Sequence, residues 1–90
     1  MAARSRKTTE KTLPISAASL ITDVEIHTLR YWESVFYPYL NPVRTSGGQR
    51  RYRNEDIQVV FTIRRLLRDE MFSLAGARKV LEGQTADRVA

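Results

Sequence analysis

Ninety residues, 42% of them hydrophobic, are chain enough for one domain with one modest core and exclude a multidomain enzyme. With no cysteine and a single histidine, disulfides, thiolate metal sites and a Cys/His nucleophile pair are excluded, and no cofactor or metal is expected. Fifteen Lys and Arg against ten Asp and Glu leave a net charge of +5, which points towards polyanionic partners; no apolar run approaches the roughly 20 residues that cross a bilayer, so the chain reads as soluble and cytoplasmic, without a membrane partner.

Residues 1–12 hold Arg4, Arg6, Lys7 and Lys11 against Glu10 and almost nothing that could be buried, so a disordered basic tail is expected there. The span 13–83 is read as the folded domain and carries a net charge of only +2, so charge alone does not argue for nucleic-acid binding and clustering must. Pro14-Ile15-Ser16 announces a first short helix over about 17–21 with Ser16 as its cap, and Asp23 suits the left-handed backbone of a tight turn. A second helix follows over about 24–35. Ile26, Leu29, Trp32 and Phe36 fall on one sector of it and face the core. His27, Arg30, Tyr31 and Ser34 gather on the opposite sector, each able to donate a hydrogen bond, with Thr28 as a further candidate contact.

Two prolines end that helix near Phe36. Val43-Arg44 and Arg51-Tyr52, joined through Gly47-Gly48, read as a small hairpin, and the span Arg44 to Arg53 has four arginines and no acid. Asn54 is expected to cap a long helix over about 55–70, with Glu55 and Asp56 set favourably against its dipole. Its apolar residues span about half the circumference, so Val59 and Leu66 are expected to stay partly exposed. Ser73 caps a last helix over about 74–81, Gly83 is placed to stop it, and residues 84–90 read as a tail. Arg64, Arg65 and Arg68 read as a solvated charge run with no site role.

This order of elements is mainly α: a winged helix-turn-helix with four helices and a two-stranded β-hairpin wing. HTLRYWE (His27 to Glu33), RTSGGQRRY (Arg44 to Tyr52) and the Asn54-Glu55-Asp56 helix start carry a resemblance over Ile15 to Gly83 to the DNA-binding domain of the MerR family of bacterial transcription regulators. The resemblance implies double-stranded DNA as partner, with contacts at Arg30, Tyr31, Arg44, Arg50, Arg51 and Tyr52, and Trp32 as core. It also implies a full-length homodimer on a palindromic promoter. Members usually pair through a long C-terminal coiled coil, which residues 84–90 cannot supply, so this chain is expected to be monomeric. Asp23 and Glu25-Ile26 stand where many members have Gly and a Ser/Thr-Pro start, and Val35 to Leu40 departs from the shorter connection of metal-sensing members, so no effector class carries over. An architectural DNA binder of excisionase type and a protein-interaction module for an acidic partner are the alternatives. No paired carboxylates, nucleophile with a base or phosphate-cradling loop of recognised spacing suggests an enzyme.

Overall fold

The computed structural model describes residues 11–89, with side chains through Gln84. In chain order it has strand β1 (Thr12–Pro14), helix α1 (Ile15–Thr22), helix α2 (Ile26–Val35), strands β2 (Val43–Arg44) and β3 (Arg50–Arg53), helix α3 (Asn54–Arg64) continued by a π-helical segment Arg65–Asp69, and helix α4 (Leu74–Val89). The strands form one antiparallel sheet in the order β1-β3-β2.

The expected two-stranded wing is thus a three-stranded sheet. Thr12, Leu13 and Pro14 pair with Arg53, Tyr52 and Arg51. The extra strand escapes notice because it is three residues long and ends in proline, which only an edge strand tolerates. Of the tail expected over 1–12, Thr12 belongs to this strand, while residues 1–10 lie outside the described residues.

Helix α1 starts at Ile15, one residue before the expected Ser16 cap, because Pro14 takes the extended N-cap geometry with no side-chain bond. Its end follows expectation: Asp23 adopts φ 60, ψ 40, and its N–H donates to Ser19 O. Thr22 is buried there, and its hydroxyl donates to Ala18 O at 2.7 Å, which satisfies the one polar atom of that side chain. The cap expected at Asn54 is displaced by one residue. Arg53 is the N-cap of α3, and its N–H donates to Asp56 Oδ2 at 2.8 Å. The buried Asp56 carboxylate, three residues into the helix, thus reaches back to the cap residue's own N–H, and no N-cap side chain is needed as acceptor.

Leu29, Trp32 and Phe36 of α2 are buried with Val24, Leu40 and Tyr52, and with Val60, Ile63 and Leu66 of the long helix. Trp32 and Phe36 meet edge to face with centroids 6.3 Å apart. Ile26, expected in this core, is 37% exposed, because α2 begins at that residue and its first turn lies at the edge of the packing. Leu66 is also a correction. It is 2% exposed rather than open, since Ala77 and Leu81 of α4 join the same cluster, while Val59 is half-buried.

The long helix widens into its π-helical turn and stops at Met71, whose φ of 59 lets Phe72 N–H donate back to Leu66 O at 2.8 Å. Ser73 then caps α4 as expected, its Oγ accepting from Gly76 N–H at 3.0 Å. Gly83 does not end α4, which continues to Val89. A glycine costs about 1 kcal/mol inside a helix but does not forbid helical geometry, and no proline follows to stop it. None of the helices among the described residues is long and apolar enough to cross a membrane.

Met71 holds left-handed backbone with an exposed side chain, so it carries a steric cost with little packing to offset it. Met71→Gly is expected to raise the unfolding free energy by roughly 0.5–1 kcal/mol, read as a higher urea midpoint at unchanged slope.

Candidate nucleic-acid interface

The tight turn at Asp23 sets α2 against α1, and burial of Leu29, Trp32 and Phe36 fixes its rotation. By the helical period, His27, Arg30, Tyr31 and Ser34 must then point away from the core, and all four are exposed. Tyr31 is 53% exposed, an unusual amount for a ring with core available beside it. Ser34 Oγ donates to Tyr31 O at 2.8 Å, and His27 Nε2 stands 3.3 Å from Glu25 Oε1 on the open surface. Thr28 is half-buried at the flank of this face.

The wing is built on a five-residue connection. Gly48 N–H donates to Thr45 O, Thr45 N–H to Gln49 O and Gln49 N–H to Thr45 Oγ1. Gly48, with φ 87, is the one position in this turn that requires glycine, while a Cβ at Gly47 would meet Thr45 Oγ1 at an ordinary 3.9 Å and Gly47 lacks positive φ.

Glu33, the last residue of the HTLRYWE motif and not among the expected contacts, joins the wing to α2. Its carboxylate accepts from Tyr52 Oη at 2.7 Å and from Arg50 Nε at 2.7 and 2.8 Å, and Arg44 Nη2 approaches to 3.6 Å. The Glu33 side chain is 11% exposed and Arg50 22%, against 54% for Arg44. A signal for it existed: an arginine-rich wing without an acid of its own needs a counter-charge from a neighbouring element, and Glu33 is the acid inside the helical motif next to it.

Of the expected contact residues, the structure brings Arg30, Ser34, Arg44 and Arg50 around one notch of about 290 Å³, with Glu33 and Tyr37 in its walls. Arg30 also borders a second recess shared with Ile15, Gly48 and Arg50, which places it between the wing tip and the start of α1. Two residues are used differently. Tyr52 is fully buried, so it supports the face from below and does not reach a ligand. Arg51 turns to the other edge of β3, its Nε donating to Thr12 Oγ1 at 3.1 Å and its Nη2 to Thr12 O at 3.0 Å. Burial, reinforced by the hydrogen bond to Glu33 and the nearby Glu33 charge, pushes the Tyr52 phenol far above its ordinary value.

A tight helix pair whose second helix shows a polar outer face, flanked by a glycine-tipped strand pair, defines a winged helix-turn-helix domain. Residues 13–84 match the MerR HTH family of regulatory proteins, and the chain belongs to that family. It is 32% identical over 68 residues to the putative heat shock protein HspR of Streptomyces coelicolor, which covers 76% of this chain and 44% of that protein. It is 35% identical over 72 residues to the HTH-type transcriptional repressor CarH of Myxococcus xanthus, covering 80% of this chain and 23% of that protein. The chain therefore spans less than half the length of each of these relatives.

Removing Glu33 strands a buried phenol and a half-buried guanidinium at once, whereas Tyr52→Phe leaves the ion pair intact. Glu33→Ala is expected to cost about 3 kcal/mol in urea unfolding and Tyr52→Phe about 1 kcal/mol. The raised phenol adds a pH signature. Because its folded-state value lies above the unfolded one near 10, the stability it contributes is intact below about pH 10 and is lost as pH rises beyond that. Ultraviolet titration should show a phenolate component that appears only with unfolding and is missing from Tyr52→Phe.

Proposed function

We propose that this domain binds double-stranded DNA as the reading head of a MerR-type transcription regulator, with α2 in the major groove and the wing on the adjacent backbone. The observation that carries the reading is the shared face of α2 and the wing. Arg30, Ser34 and Arg44 border one notch beside exposed His27 and Tyr31, and Glu33 holds the wing in place against the helix. A major groove about 12 Å wide admits one helix, and Arg, His, Ser and Tyr on its outer side can meet base edges and phosphates. Membership of the family and likeness to a named transcriptional repressor support the same reading. One such domain reads one half-site, so the proposal extends to two copies of the full-length protein on a palindromic promoter element. Arg30, Tyr31 and Ser34, with His27 and Thr28 flanking, supply base and nearby backbone contacts; Arg44 and Arg50 supply cationic density for phosphate, and Arg51 adds charge from the far edge of β3, where Thr12 holds its Nε and Nη2; Tyr52 acts through Glu33.

Genomic duplex fragments retained by the chain identify its site and whether that site lies in promoters. If three or four phosphates are neutralised by these arginines, log affinity should fall against log salt with a slope of roughly −3 to −4. A slope near zero, or equal retention of an unrelated acidic protein, overturns the DNA reading in favour of an acidic protein partner. Arg30→Ala is expected to cost about 1–3 kcal/mol and to relax preference at one base position, whereas Arg44→Ala weakens all sequences alike. Anisotropy titrations on single-base variants of the retained site separate the two.

A further inference from the structure

Arg78 lies on α4, outside the face just described, yet its strongest contacts are with the end of α2. Its Nη1 donates to Val35 O at 3.1 Å and to Tyr37 O at 2.7 Å. The guanidinium carbon stands 5.3 Å from the centroid of the Tyr39 ring, and Nε is 3.7 Å from Glu82 Oε2 one turn along α4.

The last carbonyls of a helix have no intrahelical partner and carry partial negative charge. Helix α2 lacks the usual remedy, because its C-cap Phe36 has φ −106 and ψ 14 in place of a left-handed glycine closure. The chain beyond it closes on one atom. Phe36 O accepts from both Tyr39 and Leu40 N–H, and the carbonyls of Val35 and Tyr37 on either side go to Arg78. A planar cation seated on Tyr39 reaches both at once.

We propose that Arg78 is a positioning residue for DNA recognition: by capping the exit of α2 from α4, it fixes the set of the reading face and makes tight, sequence-selective binding depend on the docked last helix. The inference rests on the DNA-binding reading and goes beyond it, since Arg78 is not itself among the residues that line the notch or form the wing. Tyr37 links the two places, because its carbonyl is held by Arg78 while the residue lines the notch with Arg30 and Ser34.

The test uses the whole 90-residue chain with Arg78→Met, which keeps an apolar stem on Tyr39 and removes both donations, and with Arg78→Lys, which keeps the charge. Affinity is measured for a duplex retained from genomic fragments and for an unrelated duplex of equal length, across a salt series, at a temperature where circular dichroism shows each variant folded. Arg78→Met is expected to lose about tenfold on the retained duplex, the value of roughly one lost net hydrogen bond or more, with the salt slope unchanged and the unrelated duplex affected less than threefold. Arg78→Lys should restore part of the loss. Retained-duplex affinity within twofold of the unsubstituted chain overturns the proposal. So does a salt slope shallower by about one unit, which would make Arg78 a phosphate contact.

Hydrogen exchange of the Tyr39 and Leu40 amides, measured without DNA, separates this inference from the DNA reading. Faster exchange in Arg78→Met supports the anchoring and unchanged exchange overturns it. If the unsubstituted chain retains no duplex, the DNA reading fails, and with it the role of Arg78 in recognition.

Discussion

A single carboxylate, that of Glu33, ties the wing to helix α2. β3 is anchored by β1 and by the buried Tyr52, but the two-residue β2 has too few ladder hydrogen bonds to fix how the glycine-tipped end sits against α2. Glu33 supplies the missing constraint from α2 by accepting from Tyr52 below and Arg50 above. An acid at the centre of a cationic face costs some attraction for a polyanion. For the DNA binding proposed above, pre-organisation offsets that cost, because fewer side chains remain to be ordered on binding. Arg50 engages only through Nε, so one side of its guanidinium is committed to the fold while its Nη groups stay available to a ligand.

Arginines from the C-terminal half secure the helix-turn-helix unit at other points. Arg68, in the π-helical turn, donates to Asp23 O at 3.1 Å and so braces the tight turn before α2. Arg78 does the same at the exit. The charge run at Arg64, Arg65 and Arg68 is therefore not simply solvated: Arg65 pairs with Glu70 and Arg68 reaches the turn. Each strained or uncapped point of the unit, left-handed Asp23 and the unclosed end of α2, has a guanidinium on a nearby carbonyl.

Much of this architecture is legible in the residues. Helical period placed Leu29, Trp32 and Phe36 inside and His27, Arg30, Tyr31 and Ser34 outside, and the conformational tolerance of Asp23 located the turn. The glycine pair marked the wing tip, though only Gly48 requires positive φ. What stayed hidden was non-local. Thr12–Pro14 has no strand signal of its own and becomes one only because β3 offers it an edge. Tyr52 reads as a contact through the family resemblance, but strand alternation turns it inwards onto Glu33. Arg53 displaced Asn54 as cap because Asp56, a buried partner from within the helix, outcompetes a side chain at its start. Leu66 was expected to be open because a helical wheel cannot show that α4 folds back across it.

The pairing of β1 with β3 also orders events during synthesis. Arg51 emerges 39 residues after Thr12, about 2–8 s later at ordinary translation rates. In that interval α1 and α2, of 8 and 10 residues, form and melt within microseconds and stay marginal, because the buried face of α2 still lacks Tyr52, Val60 and Ile63. The wing cannot form, because its middle strand does not yet exist and its first neighbour must wait unpaired. Glu33 has a shorter wait, 17 residues for Arg50 and 19 for Tyr52, and until then its carboxylate faces water. The face shared by α2 and the wing is therefore assembled in one late event, when β3 meets β1 and Glu33 together.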